Sequence, residues 1–182
     1  MEVKLGKCRI IMDFGFPAML SLLCMQSEGV LEILMVCLLH ELGHGVAMAF
    51  SGAGLREIRL YAAGIQMRTN TILLQTWQLL CIYLSGPIVN LLFAFWLRGT
   101  ETGILHLLMG CFNLLPFRTL DGGTAIRCIL GMHDKLCEAL TIFCEGLAMA
   151  IFLLLLWYRV ENPSLYMMVI YLAVAELVDK SL

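Results

Sequence analysis

The stretch that decides the fold is VLEILMVCLLHELGHGVAMAF, residues 30–50, a largely apolar run that contains HELGH at positions 40–44. Residues four apart share one face of an α-helix, so His40 and His44 can offer two imidazole nitrogens to the same metal ion. Glu41 lies on the adjacent edge, within reach of a water molecule at that metal. Three ionisable groups in one turn of an apolar helix are costly to bury, which favours a functional site over plain packing.

A second segment supplies what the histidine pair lacks. A catalytic zinc ion takes three protein ligands and keeps one position for water, so two histidines require a third partner elsewhere in the chain. In residues 113–123, NLLPFRTLDGG, Pro116 should end a helix and the two glycines permit a tight turn. Asp121 is therefore expected on irregular backbone at the edge of the membrane. We predict one Zn²⁺ per chain, bound by His40, His44 and Asp121.

Composition assigns the chain to the membrane proteins. Of its 182 residues, 60% are hydrophobic and 14% are charged, and the mean hydropathy is +0.87. Soluble proteins carry about 25% charged residues. The net charge is −2, and no cluster of Lys and Arg is large enough to follow a phosphate backbone. Both observations argue against a nucleic-acid partner.

The predicted fold is an all-α polytopic membrane protein with about six transmembrane helices in a single intramembrane domain, residues 1–182. The first span can also be read as a signal peptide, but residues 26–29, QSEG, offer no small-residue cleavage site. In the third span Gly86 and Pro87 let neighbouring helices come close, and Asn90 can hydrogen-bond to another helix. The predicted spans cover residues 10–25, 30–50, 71–97, 102–115, 136–158 and 163–178.

Residues 51–70 break the helical pattern, because glycines interrupt a mixture of apolar and charged residues. The pattern predicts two short strands that form a membrane-associated β-hairpin after the second span. A strand edge cannot face lipid, so this hairpin must lie against protein or a watery cavity. Its edge, which includes Gly64 and Ile65, can hold an extended substrate peptide as an added strand. A plain cytoplasmic loop is the alternative.

The distribution of positive charges predicts the topology. With six spans and both termini in the cytoplasm, all 12 Lys and Arg residues except Arg98 and Arg159 lie on the cytoplasmic side. This asymmetry satisfies the positive-inside rule. In the same topology His40, His44 and Asp121 approach one another from the cytoplasmic side. We therefore expect a multi-pass membrane protein whose active site opens toward the cytoplasm.

Three motifs follow one another along the chain: HELGH at 40–44, GPIVN at 86–90, and NLLP at 113–116 followed by LDGG at 120–123. Together they resemble the site-two protease family of intramembrane zinc metalloproteases, and they are most similar to its six-span branch, the stage IV sporulation protein FB. The resemblance covers nearly the whole chain. Relatives often add CBS or PDZ modules, which this sequence does not contain, and often have FGG where residues 61–64 read YAAG.

The resemblance implies hydrolysis of a peptide bond in or near a transmembrane or membrane-associated segment of a substrate protein. It assigns zinc binding to His40, His44 and Asp121. It makes Glu41 the catalytic base and puts Asn113 near the substrate backbone. Closeness to the sporulation branch implies a membrane-associated pro-sigma factor as substrate and allows for an inhibitory membrane partner.

Two other functions stay open at this point. A protease-like protein without activity would only bind or escort membrane partners, but such a protein would not need Glu41 beside the metal ligands. A metal transporter would need a route of polar residues along its spans, and His106, Glu145 and Glu176 are too scattered to mark one. The sequence assigns no functional role to His106, which is expected to pack or hydrogen-bond between helices.

Overall fold

The computed structural model describes residues 2–5, 8–12, 29–52, 55–61, 64–69, 74–131 and 134–178, most of which are helical. The chain forms two units, Met1–Phe112 and Asn113–Leu182. The first unit contains a small sheet and the helices that bear HELGH and GPIVN. The second contains the helices that follow the NLLP segment.

The described strands belong to the first unit and are β1 (Glu2–Leu5), β2 (Cys8–Met12), β3 (Leu55–Tyr61) and β4 (Gly64–Thr69). They form one sheet in the order β1-β2-β3-β4. β1 pairs antiparallel with β2, β2 parallel with β3, and β3 antiparallel with β4. Parallel neighbours need a crossover connection, and between β2 and β3 this connection includes the helix that bears HELGH.

The sheet departs from the all-α prediction. Residues 10–12 of the predicted first span form part of β2 and pair with β3, so the prediction of a span is wrong there. A short apolar run fits a strand as well as the start of a helix, and pairing with a distant strand decides between them. Residues 13–25 of that span lie outside the described part of the chain. β3 and β4 lie where the sequence predicts two short strands, and Tyr61 of β3 pairs with Gly64 of β4.

Two helices of 21 residues dominate the first unit, α1 (Val30–Phe50) and α2 (Thr76–Trp96). They come close where two glycines meet. A Cβ added to Gly43 of α1 would lie 3.2 Å from the Cα of Gly86 and 2.9 Å from the carbonyl oxygen of Ser85, both in α2. Small residues let helix backbones approach in this way, as the sequence predicts for the third span.

The remaining helices are shorter or lie in the second unit. Helix α3 (Glu101–Asn113) follows α2 and ends three residues before Pro116. The second unit then forms α4 (Asp121–Leu130), α5 (Asp134–Trp157) and α6 (Pro163–Val178). The sequence did not predict α4.

Three helices within the described ranges are long and apolar enough to cross a membrane: Val30–Phe50, Thr76–Trp96 and Lys135–Trp157. Helix α3 has 13 residues and α6 has 16, so both are shorter than a full crossing requires. Large apolar side chains such as Leu92 and Leu154 are exposed on the long helices, which suits contact with lipid. These features support a membrane protein, whereas six spans and cytoplasmic termini stay predictions.

Candidate metal centre

His40 and His44 lie one turn apart on α1 and are almost completely buried, with 4% and 8% of their surface exposed. Their Nε2 atoms are 3.2 Å apart, and the two rings are nearly perpendicular, at 81°. Zinc binds histidine nitrogen at about 2.0–2.1 Å, so two nitrogens on one tetrahedral zinc lie roughly 3.3 Å apart. The spacing of the two imidazoles therefore fits chelation of a single ion.

The other ring nitrogen of His44 is held by helix α2. His44 Nδ1 donates to the carbonyl oxygen of Ile82 at 2.7 Å, and the hydroxyl of Ser85 donates to the same oxygen at 2.6 Å. A histidine whose Nδ1 carries the proton has its lone pair on Nε2. The contact with Ile82 thus fixes both the orientation of the ring and the tautomer that a metal ligand needs.

The other ring nitrogen of His40 faces a buried amide. Asn90, the last residue of the GPIVN motif, lies on α2 with its amide group 3.1 Å from His40 Nδ1. The other end of the same amide lies 3.1 Å from Nδ1 of His106 on α3. His106 also stacks on Phe93, with the ring centroids 5.1 Å apart. The sequence predicted a hydrogen bond from Asn90 to another helix, and it predicted that His106 packs or hydrogen-bonds between helices; both predictions are confirmed.

Gly86 of α2 packs directly against both imidazoles. A Cβ at this position would lie 2.7 Å from Cε1 of His44 and 2.9 Å from Cε1 of His40, and closer still to Nε2 of His44. No side chain larger than hydrogen fits there without moving the rings. Glu41 is half-buried in the same turn of α1. The first unit therefore contributes two nitrogen donors and, in the same helical turn, a carboxylate.

Asp121 is the first residue of α4 and is half-buried. The prediction of irregular backbone at this position is wrong, because the helix begins there, after Leu120 in an extended conformation. The two glycines that follow serve close packing instead of a turn. A Cβ at Gly122 would clash with the carbonyl oxygen of Leu114, and one at Gly123 with that of Phe117. Helix α4 can therefore start directly against the preceding loop.

A buried polar network holds that loop in place within the second unit. Glu176 of α6, which is 1% exposed, accepts a hydrogen bond from the backbone N–H of Arg118 at 2.8 Å and one from the Thr141 hydroxyl at 3.0 Å. Its carboxylate also pairs with Arg127 of α4. Arg127 in turn donates to the carbonyl oxygen of Pro116 at 3.2 Å. The network connects both sides of Asp121, the loop and the helix, to α5 and α6.

The structure also gives the positions of the residues predicted to touch substrate. Asn113 is half-buried at the end of α3. Gly64 and Ile65 begin β4, the last strand of the described sheet, and the side chain of Ile65 lies outside what the structure describes. The structure describes all three predicted zinc ligands, His40 and His44 in the first unit and Asp121 in the second.

Comparisons with known proteins agree with this chemistry. No protein-family model matches the chain. The chain is 28% identical over 110 residues to a "Putative zinc metalloprotease" of Synechocystis, which covers 50% of the chain and 28% of that protein. It is 30% identical over 139 residues to "Putative zinc metalloprotease Rip3" of Mycobacterium tuberculosis, covering 64% of the chain and 34% of that protein. The chain thus spans about a third of the length of these curated relatives.

A solved structure has the same fold. The site-2 protease from Methanocaldococcus jannaschii superimposes with a TM-score of 0.66 over 97% of this chain and 93% of its own, at 20% sequence identity. The match includes both units of the chain. It shows the fold that the motifs led us to expect, but it does not single out the sporulation branch.

Proposed function

We propose that the chain is an intramembrane zinc metalloprotease of the site-2 protease type. Its reaction would be hydrolysis of a peptide bond in or near a transmembrane or membrane-associated segment of another protein. The observation that carries the proposal is the pair of buried imidazoles, with Nε2 atoms 3.2 Å apart, in the fold of a solved site-2 protease. The names of the curated relatives support the same chemistry.

The proposed zinc ligands are His40, His44 and Asp121. Two imidazole nitrogens and one carboxylate oxygen are a donor set that zinc accepts in catalytic sites, with a fourth position left for water. Zinc bound there would lower the pKa of that water toward about 7 and polarise the scissile carbonyl group. Gly86 packs directly against the two imidazoles, where a methyl group would collide with both rings.

Glu41 is the proposed general base. It lies in the same helical turn as His40, so its carboxylate can take a proton from the attacking water and pass it to the leaving amine. Both transfers need a short, fixed path, which a rigid helix provides. A substitution that keeps the shape of Glu41 but removes its basicity should therefore stop turnover without removing the metal.

The substrate must be extended before it can be cut, because a helix holds its carbonyl groups in hydrogen bonds. We propose that the edge of β4, beginning at Gly64 and Ile65, holds the substrate backbone as an added strand. This edge has a strand on one side only among the described strands, β3. Asn113 is proposed to bind a further backbone group of the substrate. All of these contacts would be made to the backbone of the substrate and not to its side chains, so they would allow several substrate sequences.

The proposed orientation follows the charge distribution. Both termini and the opening of the active site are assigned to the cytoplasmic side, since that arrangement satisfies the positive-inside rule. A membrane-associated pro-sigma factor as substrate, and an inhibitory membrane partner, belong to the same proposal. They rest on the likeness of the motifs to the sporulation branch.

A paired measurement in detergent tests the function. Zinc per chain is measured on the purified protein, and cleavage of a membrane-tethered test substrate is compared with that by Glu41→Gln. The variant should keep its zinc and lose cleavage, because only the base is removed. Equal cleavage by both proteins would show that the catalytic assignment is wrong. Absence of zinc from the unaltered protein would overturn the metal site itself.

A further inference from the structure

His106 lies in a position that the proposed reaction leaves unexplained. It is 1% exposed on α3, and Asn90, with no exposed surface, separates it from His40. The three side chains form one line of contacts, 3.1 Å from His106 Nδ1 to the amide and 3.1 Å from the amide to His40 Nδ1. Burying polar groups is costly unless each has a hydrogen-bond partner, and this line gives each one a partner.

The protons of the two hydrogen bonds in this line can be placed in two ways. In the first, His106 donates to the amide oxygen, the amide nitrogen donates to His40 Nδ1, and the proton of His40 is on Nε2. In the second, the amide is rotated by half a turn, which exchanges its oxygen and nitrogen at the same positions. His40 Nδ1 then donates to the amide oxygen, and the amide nitrogen donates to His106 Nδ1.

Only the second arrangement suits a metal ligand. A histidine that binds zinc through Nε2 must have its proton on Nδ1, and the partner of that proton fixes the ring. His44 already has this tautomer through Ile82. For His40 the partner is the oxygen of Asn90. When the amide turns its oxygen toward His40, its nitrogen faces His106, and this buried N–H group needs an acceptor there. Nδ1 of His106 can accept, because a neutral imidazole can have its proton on either nitrogen.

We infer that His106 is a positioning residue for the metal site. By accepting a hydrogen bond from the amide nitrogen of Asn90, it holds His40 in the tautomer that binds zinc. The inference rests on the proposed function, since it concerns a ligand of the proposed zinc ion. His106 does not touch the metal or the substrate. Stacking on Phe93 fixes the plane of its ring and so the direction of its Nδ1.

The test measures zinc affinity, not turnover. His106→Leu removes the acceptor at similar volume, and His106→Gln keeps a side-chain oxygen that can accept from Asn90. Loss of a partner of a metal ligand typically weakens metal binding about 10- to 100-fold. We expect that loss for His106→Leu in a competition titration against a zinc chelator, and recovery to within about threefold of the unaltered protein for His106→Gln.

A double-variant comparison separates positioning from simple packing. If His106 acts through Asn90, adding His106→Leu to Asn90→Ala should cause no further loss of zinc affinity, because the link is already broken. The melting temperature of the zinc-free protein is measured alongside, since lost packing would lower this temperature whether or not Asn90 is present.

Two results would overturn the inference. One is unaltered zinc affinity in His106→Leu, and the other is an equal further loss in the Asn90→Ala background. Either result would leave the proposed function intact, provided that the unaltered protein binds zinc. Failure of the unaltered protein to bind zinc would instead refute the proposed function. The variants therefore test the role of His106, and the unaltered protein tests the site.

Discussion

Substitution of Gly86 by alanine tests whether metal binding depends on the close packing of α2 against the imidazoles. The added Cβ would lie 2.7 Å from Cε1 of His44 and 2.9 Å from Cε1 of His40. Carbon atoms in contact normally stay about 3.5–4.0 Å apart, so each ring would have to move by roughly 1 Å. His44 cannot move this far and keep its 2.7 Å hydrogen bond to Ile82.

The expected cost follows from packing energetics. Forcing an extra methyl group into a closely packed site costs about 1–3 kcal/mol. If the strain destabilises only the metal-bound arrangement of the two rings, zinc binding weakens by about 5- to 150-fold, because 1.4 kcal/mol corresponds to a factor of ten. Cleavage should fall at limiting zinc and recover in part when zinc is added in excess.

The assay is the competition titration of zinc against a chelator in detergent. Gly146→Ala is the matched control, because a Cβ at this position in α5 meets no atom within 4 Å. Alanine is favoured over glycine inside a helix by about 1 kcal/mol, so the control should be at least as stable as the unaltered protein and should bind zinc equally. Unchanged zinc affinity in Gly86→Ala would refute the reasoning.

Three further outcomes are expected. Glu176→Gln leaves the charge of Arg127 buried without its carboxylate, which costs about 3–5 kcal/mol. Its melting temperature should fall well below that of Glu161→Gln, which alters an exposed carboxylate, and an equal melting temperature would contradict the role of the ion pair. Asp121→Ala should reduce the zinc content per chain, and full zinc content would remove Asp121 from the ligand set. A strong zinc chelator should abolish cleavage and added Zn²⁺ should restore it, whereas cleavage that persists in the chelator would contradict metal catalysis.

Local spacing in the sequence was enough to predict that the two imidazoles lie side by side. The separation of four residues between His40 and His44 puts both rings on one helical face whatever the rest of the chain does. Their Nε2 atoms are 3.2 Å apart, as such a pair requires. Gly86 and Asn90 were also predicted from their positions in a span, as a close approach and a hydrogen bond between helices. Each of these predictions depends on few residues and short distances along the chain.

Features that depend on contacts between distant parts of the chain were not predicted from the sequence. Strand β2 resembles the start of an apolar span until it pairs with β3, more than 40 residues further along the chain. The two glycines after Asp121 disfavour a helix by about 1 kcal/mol each, and only the close packing of α4 against the loop before it overrides that preference. For His106 the sequence predicted packing or a hydrogen bond between helices, but it did not identify the partner, because Asn90 lies on a different helix.

The contacts of the buried polar residues outside the motifs bear on the choice between a hydrolytic metal site and a metal-transport route. In the first unit, His106 is linked through one amide to His40. In the second unit, Glu176 accepts the backbone N–H of Arg118, three residues before Asp121. A transport route needs polar groups that can exchange their partners with a passing ion, whereas these contacts hold backbone and rings that bear the candidate ligands. Because a hydrolytic metal site must keep its ligands in one geometry through every turnover, this use of the buried polar groups favours the protease over the transporter.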